Sequence, residues 1–281
     1  MKYNKISGFS DEIAADIKTQ FEALKRLNME YFEPRGVDGK NISTLTDEEA
    51  KALLCEMKKN NIKVSSIGSP IGKIDICDGF EPHFEVFKDV CRIAKILETK
   101  YIRMFSFYSS TGWDEEKKAE VFRRLGAFVD YAKENDLVLL HENEKWIYGE
   151  KAKECLEIME KFHCDNFKAV FDPANFVQSG QDTKEAYEML KPYIAYMHMK
   201  DALPNEEVVP AGMGEGNIEY ILNELFKSGY DGFISLEPHL GSFEGLADLE
   251  LDDKMTKLEK GGEYTFTIAY KALEKIIDKI I

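Results

Sequence analysis

The chain has 281 residues, of which 44% are apolar, 12% aromatic and 32% charged, with a formal net charge of −15 at pH 7. That length fits two small domains or one α/β barrel, and the apolar content supplies a sizeable core. The acidic balance argues against nucleic acid or a membrane surface as partner, since both are held by clustered Lys and Arg, and favours small neutral molecules or cations.

In chain order, 3-YNKISGF-9 reads as a strand, and 11 to 28 reads as an amphipathic helix with Ile13, Ile17, Phe21, Leu24 and Leu27 on one face. The second unit is strand 30-EYFEPR-35 and helix 46 to 60, whose Thr46 and Glu49 have capping-box spacing. Strand 62-IKVSSIG-68 precedes a loop with Pro70, Gly72 and Gly79 and a helix near 82 to 98. Strand 101-YIRMFSF-107 precedes a loop around Gly112 and Trp113 and a helix from about Asp114 to Asn135. Then come strand 137-LVLLHE-142 with helix 150 to 162, strand 167-FKAVFD-172 with helix 182 to 190, and strand 194-IAYMHMK-200 with a Gly-rich loop and helix 217 to 229. Strand 233-FISLEP-238, a loop over 241 to 262 and helix 263 to 280 close the chain.

Strands that are apolar nearly throughout and alternate with helices imply a parallel sheet covered on both faces. Eight such units predict a closed (β/α)₈ TIM barrel spanning residues 1 to 281 as one domain. An open doubly wound sheet would want a Gly-rich fingerprint after the first strand, and Gly8 alone does not provide one.

No apolar stretch of signal-peptide type opens the chain, and no run approaches the roughly 20 apolar residues of a membrane span, so a cytoplasmic protein is expected. The 5 cysteines are scattered without a C-x-x-C pair, which suits reduced core thiols.

Active sites of such barrels form where strands end. Four polar residues stand at those ends on the last four strands: Glu142, Asp172, His198 and Glu237, separated by 30, 26 and 39 residues. Each spacing is about one strand-helix unit, so the four form one arc. Buried carboxylates must be paired or bound to a cation, and Lys200 is the one base near them in sequence. One imidazole and three carboxylates make a mostly hard ligand set for one divalent metal ion. That set favours Mn²⁺ or Mg²⁺, with Co²⁺ or Zn²⁺ also compatible.

These residues, above all H-x-K-D at 198 to 201 and E-P-H at 237 to 239, resemble the xylose-isomerase-like sugar isomerase and epimerase superfamily, in particular its ketose 3-epimerases. The resemblance implies that Glu142 and Glu237 are ligands and also the catalytic acid/base pair, whereas Asp172 and His198 are ligands only. It further implies a metal-dependent isomerase or epimerase of a small sugar or keto-polyol. Such an enzyme works through an enediolate, with a proton leaving one carbon and returning to the other face or to the neighbouring carbon. Asn175 replaces a His and Pro204 an Arg of the epimerase pattern, which puts the substrate in question.

The same superfamily contains dehydratases of keto-inositols, which is the alternative reading, and a sugar-binding barrel without catalysis is a third. A related DNA-repair branch needs more metal ligands and a basic groove, against the charge of −15. Candidates for contacting substrate hydroxyls are Glu33, Arg35, Asn143, Asn175, Lys200 and His239, with Trp146 stacking on a sugar face and Trp113 packing its own loop. The 212-GMGEG-216 segment has the composition of a phosphate cradle, but Glu215 within it favours a plain turn. A carbohydrate substrate and a homo-oligomer are the partners this resemblance implies.

Overall fold

The computed structural model describes residues 3 to 240 and 262 to 281, so the loop predicted over 241 to 262 lies, but for Gly262, outside the described residues. The eight predicted strands all form: β1 (Ile6–Gly8), β2 (Tyr31–Phe32), β3 in two pieces (Lys63–Val64 and Ile67–Gly68), β4 (Tyr101–Met104), β5 (Val138–Glu142), β6 (Phe167–Phe171), β7 (Ile194–Met199) and β8 (Phe233–Leu236). All pairings among them are parallel. β1 pairs with β8, β8 with β7, and so on to β4, which takes the second piece of β3; the first piece takes β2. The ring closes where Glu33 N–H donates to the Gly8 carbonyl at 2.9 Å. This is a (β/α)₈ barrel.

Helices α1 (Ile17–Arg26), α2 (Asp47–Asn60), α3 (Phe80–Ile96), α4 (Glu115–Glu134), α5 (Ala152–Phe162), α6 (Pro173–Gln178), α7 (Thr183–Leu190), α8 (Ile218–Lys227) and α9 (Glu263–Ile280) surround it. The capping box of α2 is present with both reciprocal bonds, Thr46 and Glu49 each satisfying the other's backbone N–H. Helix α1 starts six residues later than the pattern predicts. The chain first makes a 3₁₀ turn over Ser10–Glu12, and Asp16 then caps the helix by accepting from Thr19 N–H. Asp11 and Glu12 stay out of the helix and pair instead with Arg35. Helix α6 is absent from the sequence reading. Asp172 caps it, accepting from Asn175 N–H, with Pro173 in the first helical turn, where a missing N–H costs nothing. All five cysteines are free, but Cys55 and Cys77 are exposed rather than in the core.

Side chains alternate along each strand, and this alternation aims the site. On β7, Met197 and Met199 point out into the helix layer while Tyr196 packs inside the barrel with Leu140 and Val170. His198 and Lys200 share the inward phase of Tyr196, Glu142 that of Leu140, and Asp172 that of Val170. On β8, Ile234 and Leu236 pack outward, so Ser235 and Glu237 face in. A slip of one residue in any of these strands would turn its polar end into the helix layer. Among the described residues, no helix is long and apolar enough to cross a membrane.

Candidate metal centre

Glu142, Asp172, His198 and Glu237 are all buried, and one ligand atom from each lies within 4.8 Å of the other three. His198 turns Nδ1 toward the cluster, 2.8 Å from Glu142 Oε1 and 3.8 Å from Glu237 Oε2. The backbone of Asp172 is clamped by Asn143, whose amide accepts from Asp172 N–H and donates to its carbonyl, both at 2.9 Å. The cap bond occupies Asp172 Oδ1 at 2.9 Å, which leaves Oδ2 for the cluster.

Lys200 meets the acids as expected, and distant strands add cations that sequence proximity does not reveal. Lys200 Nζ is buried, 2.6 Å from Glu237 Oε2 and 2.7 Å from Asp172 Oδ2. Arg103, inward on β4 and buried, lies 3.4 Å from Glu142 Oε2, and the half-buried Arg35 lies 3.4 Å from Glu237 Oε1. Expecting Lys200 alone to face the acids was therefore incomplete. An Arg at the inward phase of an apolar strand, as in 101-YIRM-104, was the available signal for Arg103.

Even so, four carboxylates including Glu33 are buried here against Lys200, Arg103 and the imidazole of His198. Asp172 Oδ2 accepts no hydrogen bond despite its nearness to Lys200. Burial, aided by Glu142 and Glu237, raises the Asp172 carboxyl to about 6 against the pull of Lys200. Burial also disfavours charge on Glu142, but His198 and Arg103 overcome it and hold that carboxyl down to about 2. Carboxylates buried side by side, an Asp172 oxygen held only by its ion pair with Lys200, and an imidazole nitrogen aimed at the same point fit a divalent cation.

The other predicted contacts divide into four groups. Asn143 and Asn175 are engaged inside the site: Asn175 Nδ2 donates to the Asn143 carbonyl at 2.9 Å and reaches Glu142 Oε1 at 3.4 Å. Glu33 is fully buried behind His198, 3.2 Å from its Nε2. Arg35, Lys200 and His239 border the cluster, His239 Nε2 lying 3.4 Å from Glu237 Oε1. Trp146 is 70% exposed with Lys145 over its ring, so it lines no closed wall, and Trp113 packs edge-on against Tyr148. The 212-GMGEG-216 segment is a turn folded around the carboxylate of Asp201, which accepts from Ala202, Gly212, Gly214 and Gly216 N–H at 2.8 to 3.0 Å. A Cβ on Gly214 would lie 2.3 Å from the Ala202 carbonyl oxygen, which explains that glycine. The amides of a phosphate cradle are thus already taken by the chain's own acid.

His141, adjacent to Glu142 but of opposite phase, faces the helix layer with Nε2 2.9 Å from Ser106 Oγ. Burial pushes its pKa down to about 4. The folded value lies below the ordinary value of about 6.5, so its contribution to stability is complete above pH 6.5 and is lost as pH falls toward 4, up to about 3 kcal/mol. Denaturant titrations at pH 7 and 4.5 should show wild type losing more stability than His141→Gln over this interval. Equal losses would exonerate His141.

Residues 21–257 match the family described as xylose isomerase-like TIM barrel, and the chain belongs to that family. Within it, the chain is 24% identical over 234 residues to an inosose dehydratase of Mesomycoplasma hyopneumoniae, covering 72% of this chain and 77% of the relative. It is 21% identical over 253 residues to a 3-dehydroshikimate dehydratase of Bacillus anthracis, covering 83% and 86%. The solved structure of a D-tagatose 3-epimerase-like protein superposes with a TM-score of 0.72 at 18% identity, covering 99% of this chain and 100% of the other. The family is one of enzymes; the two relatives are named as dehydratases and the structural neighbour as epimerase-like.

Proposed function

We propose that the protein is a metal-dependent enzyme that removes a proton beside the carbonyl of a small polyhydroxy ketone and expels the hydroxyl one carbon further on as water. The observation that carries this reading is the 2.6 Å contact between Lys200 Nζ and Glu237 Oε2. Glu142, Asp172, His198 and Glu237 would hold one divalent cation, with Mg²⁺ or Mn²⁺ suited to the oxygens and Zn²⁺ or Co²⁺ also compatible. When bound, it supplies Lewis-acid polarisation of the substrate carbonyl.

Glu237 takes the proton from carbon through a carboxylate oxygen, and Lys200 Nζ gives a proton to the departing hydroxyl. One C–H and one C–O bond break, a C=C bond forms, and water leaves. The contact between the two residues then returns the proton from Glu237 to Lys200, so both end as they began. Arg103 and His198 stabilise the ionised form of Glu142, which remains an acceptor within the cluster. The dehydratase names of the curated relatives support this choice, and a keto-inositol or a cyclic dehydro-acid is the substrate class they suggest.

Epimerisation or isomerisation is the second reading. It is favoured by Glu142 and Glu237 standing as two carboxylates within one cluster, each able to serve one face of a carbon. Incubation in D₂O with keto-inositols, 3-dehydroshikimate and ketoses separates the two: loss of water with an alkene product supports elimination, and deuterium incorporation into a recovered epimer supports the second. Glu237→Gln should lower turnover by roughly 10²- to 10⁴-fold under either reading, with the metal content of the purified variant measured alongside. Full activity in that variant would remove Glu237 from the chemistry.

A further inference from the structure

We propose that Glu33 is a positioning residue for His198, holding the hydrogen on Nε2 so that Nδ1 presents its lone pair to the cation. This rests on the reading that a metal binds between the four strand ends. The imidazole lies between two carboxylates, with Nδ1 2.8 Å from Glu142 Oε1 and Nε2 3.2 Å from Glu33 Oε2. Glu142 belongs to the ligand cluster and Glu33 does not.

Glu33 is itself held from behind. Tyr196 O–H donates to the same Oε2 at 2.8 Å, Ser65 Oγ lies 2.8 Å from the Tyr196 hydroxyl, and Ser7 Oγ lies 2.6 Å from Ser65. All five residues of this chain are buried. Oε1 of Glu33 accepts no hydrogen bond, so His198 and Tyr196 are the donors its charge depends on. A buried carboxylate with so few donors keeps them, because losing one leaves charge without compensation. When a cation displaces hydrogen from His198, it must therefore do so at Nδ1. Phe9 and Tyr196 meet the ring edge-on at 5.1 and 5.7 Å and pack it in the orientation that sets Nε2 toward Glu33 and Nδ1 toward the cluster. Metal-ligating histidines generally use the second nitrogen in this way, and losing such a partner typically weakens metal affinity by about 10- to 100-fold.

The test uses Zn²⁺, which is silent to NMR, and the full chain. Long-range ¹H–¹⁵N correlation of the Zn²⁺-loaded protein should show His198 protonated at Nε2 and unprotonated at Nδ1. Zn²⁺ affinity by chelator competition should fall about 10- to 100-fold in Glu33→Ala. Glu33→Gln, which keeps an acceptor and the shape, should fall between Glu33→Ala and wild type. Tyr196→Phe, which leaves Glu33 in place, guards against a Glu33→Ala variant that does not fold and should weaken affinity in the same direction. Wild type that binds no Zn²⁺ would overturn the metal reading itself. Wild type that binds with His198 protonated at Nδ1, or folded Glu33 variants of unchanged affinity, would overturn the role of Glu33 alone.

Discussion

Changing Asp172 to asparagine is expected to abolish tight binding of a divalent cation while leaving the barrel folded. Asparagine caps a helix about as well as aspartate, so the bond from Asn175 N–H to Oδ1 and the start of α6 should persist. What disappears is the charge at Oδ2, the ligand-cluster oxygen without a hydrogen bond. Affinity for Mn²⁺ should fall by more than the roughly 100-fold upper range for outer partners of a metal ligand. If the proposed reaction is right, turnover should fall by about 10³-fold, since Lewis-acid stabilisation is worth several kcal/mol. Isothermal titration with Mn²⁺ beside circular dichroism measures both sides of the claim. A folded variant with wild-type affinity would show that these acids are held by Lys200 and the arginines instead.

Replacing Lys200 by methionine probes the same balance from the other side. The ammonium now faces Glu237 and Asp172 at 2.6 and 2.7 Å, and removing it leaves two buried carboxylates short of a partner. Breaking a buried pair in this way costs about 3–5 kcal/mol, so the variant should unfold at clearly lower denaturant in the presence of chelator. Added Mn²⁺ should restore much of the loss, because an ion that binds only the folded state stabilises it in proportion to its concentration over Kd. Catalysis should stay low even then, since the proposed proton donor is gone. A variant as stable as wild type in chelator would mean that Asp172 and Glu237 do not need Lys200.

The arc of four ligand candidates was legible because it depends on two local regularities, the length of a strand-helix unit and the alternation of side chains along a strand. Glu142, Asp172, His198 and Glu237 each satisfy both. The start of α6 was legible as well: Asp172 followed by Pro173 is a cap followed by a first-turn proline, which places Asn175 on the helix that shapes the site. Arg103 had a signal in its inward phase on β4, the neighbour of β5, whereas Glu33 had none, because β2 comes near β7 only when the ring closes through β1 and β8. Glu33 was placed among substrate contacts on residue type. Its burial beneath His198 follows from its phase on β2, one residue beyond the outward Phe32.

The seam where the barrel closes has a consequence for motion. β2 is only two residues long, and the bond from Glu33 N–H to the Gly8 carbonyl joins it to β1. The side chain of the same residue reaches His198. Short strand pairings open more readily than long ones, so local fluctuation at this seam carries the partner of His198 with it. Hydrogen exchange at the Glu33 amide, compared with the other amides of β1 and β2, is therefore expected to report how firmly the imidazole is steered.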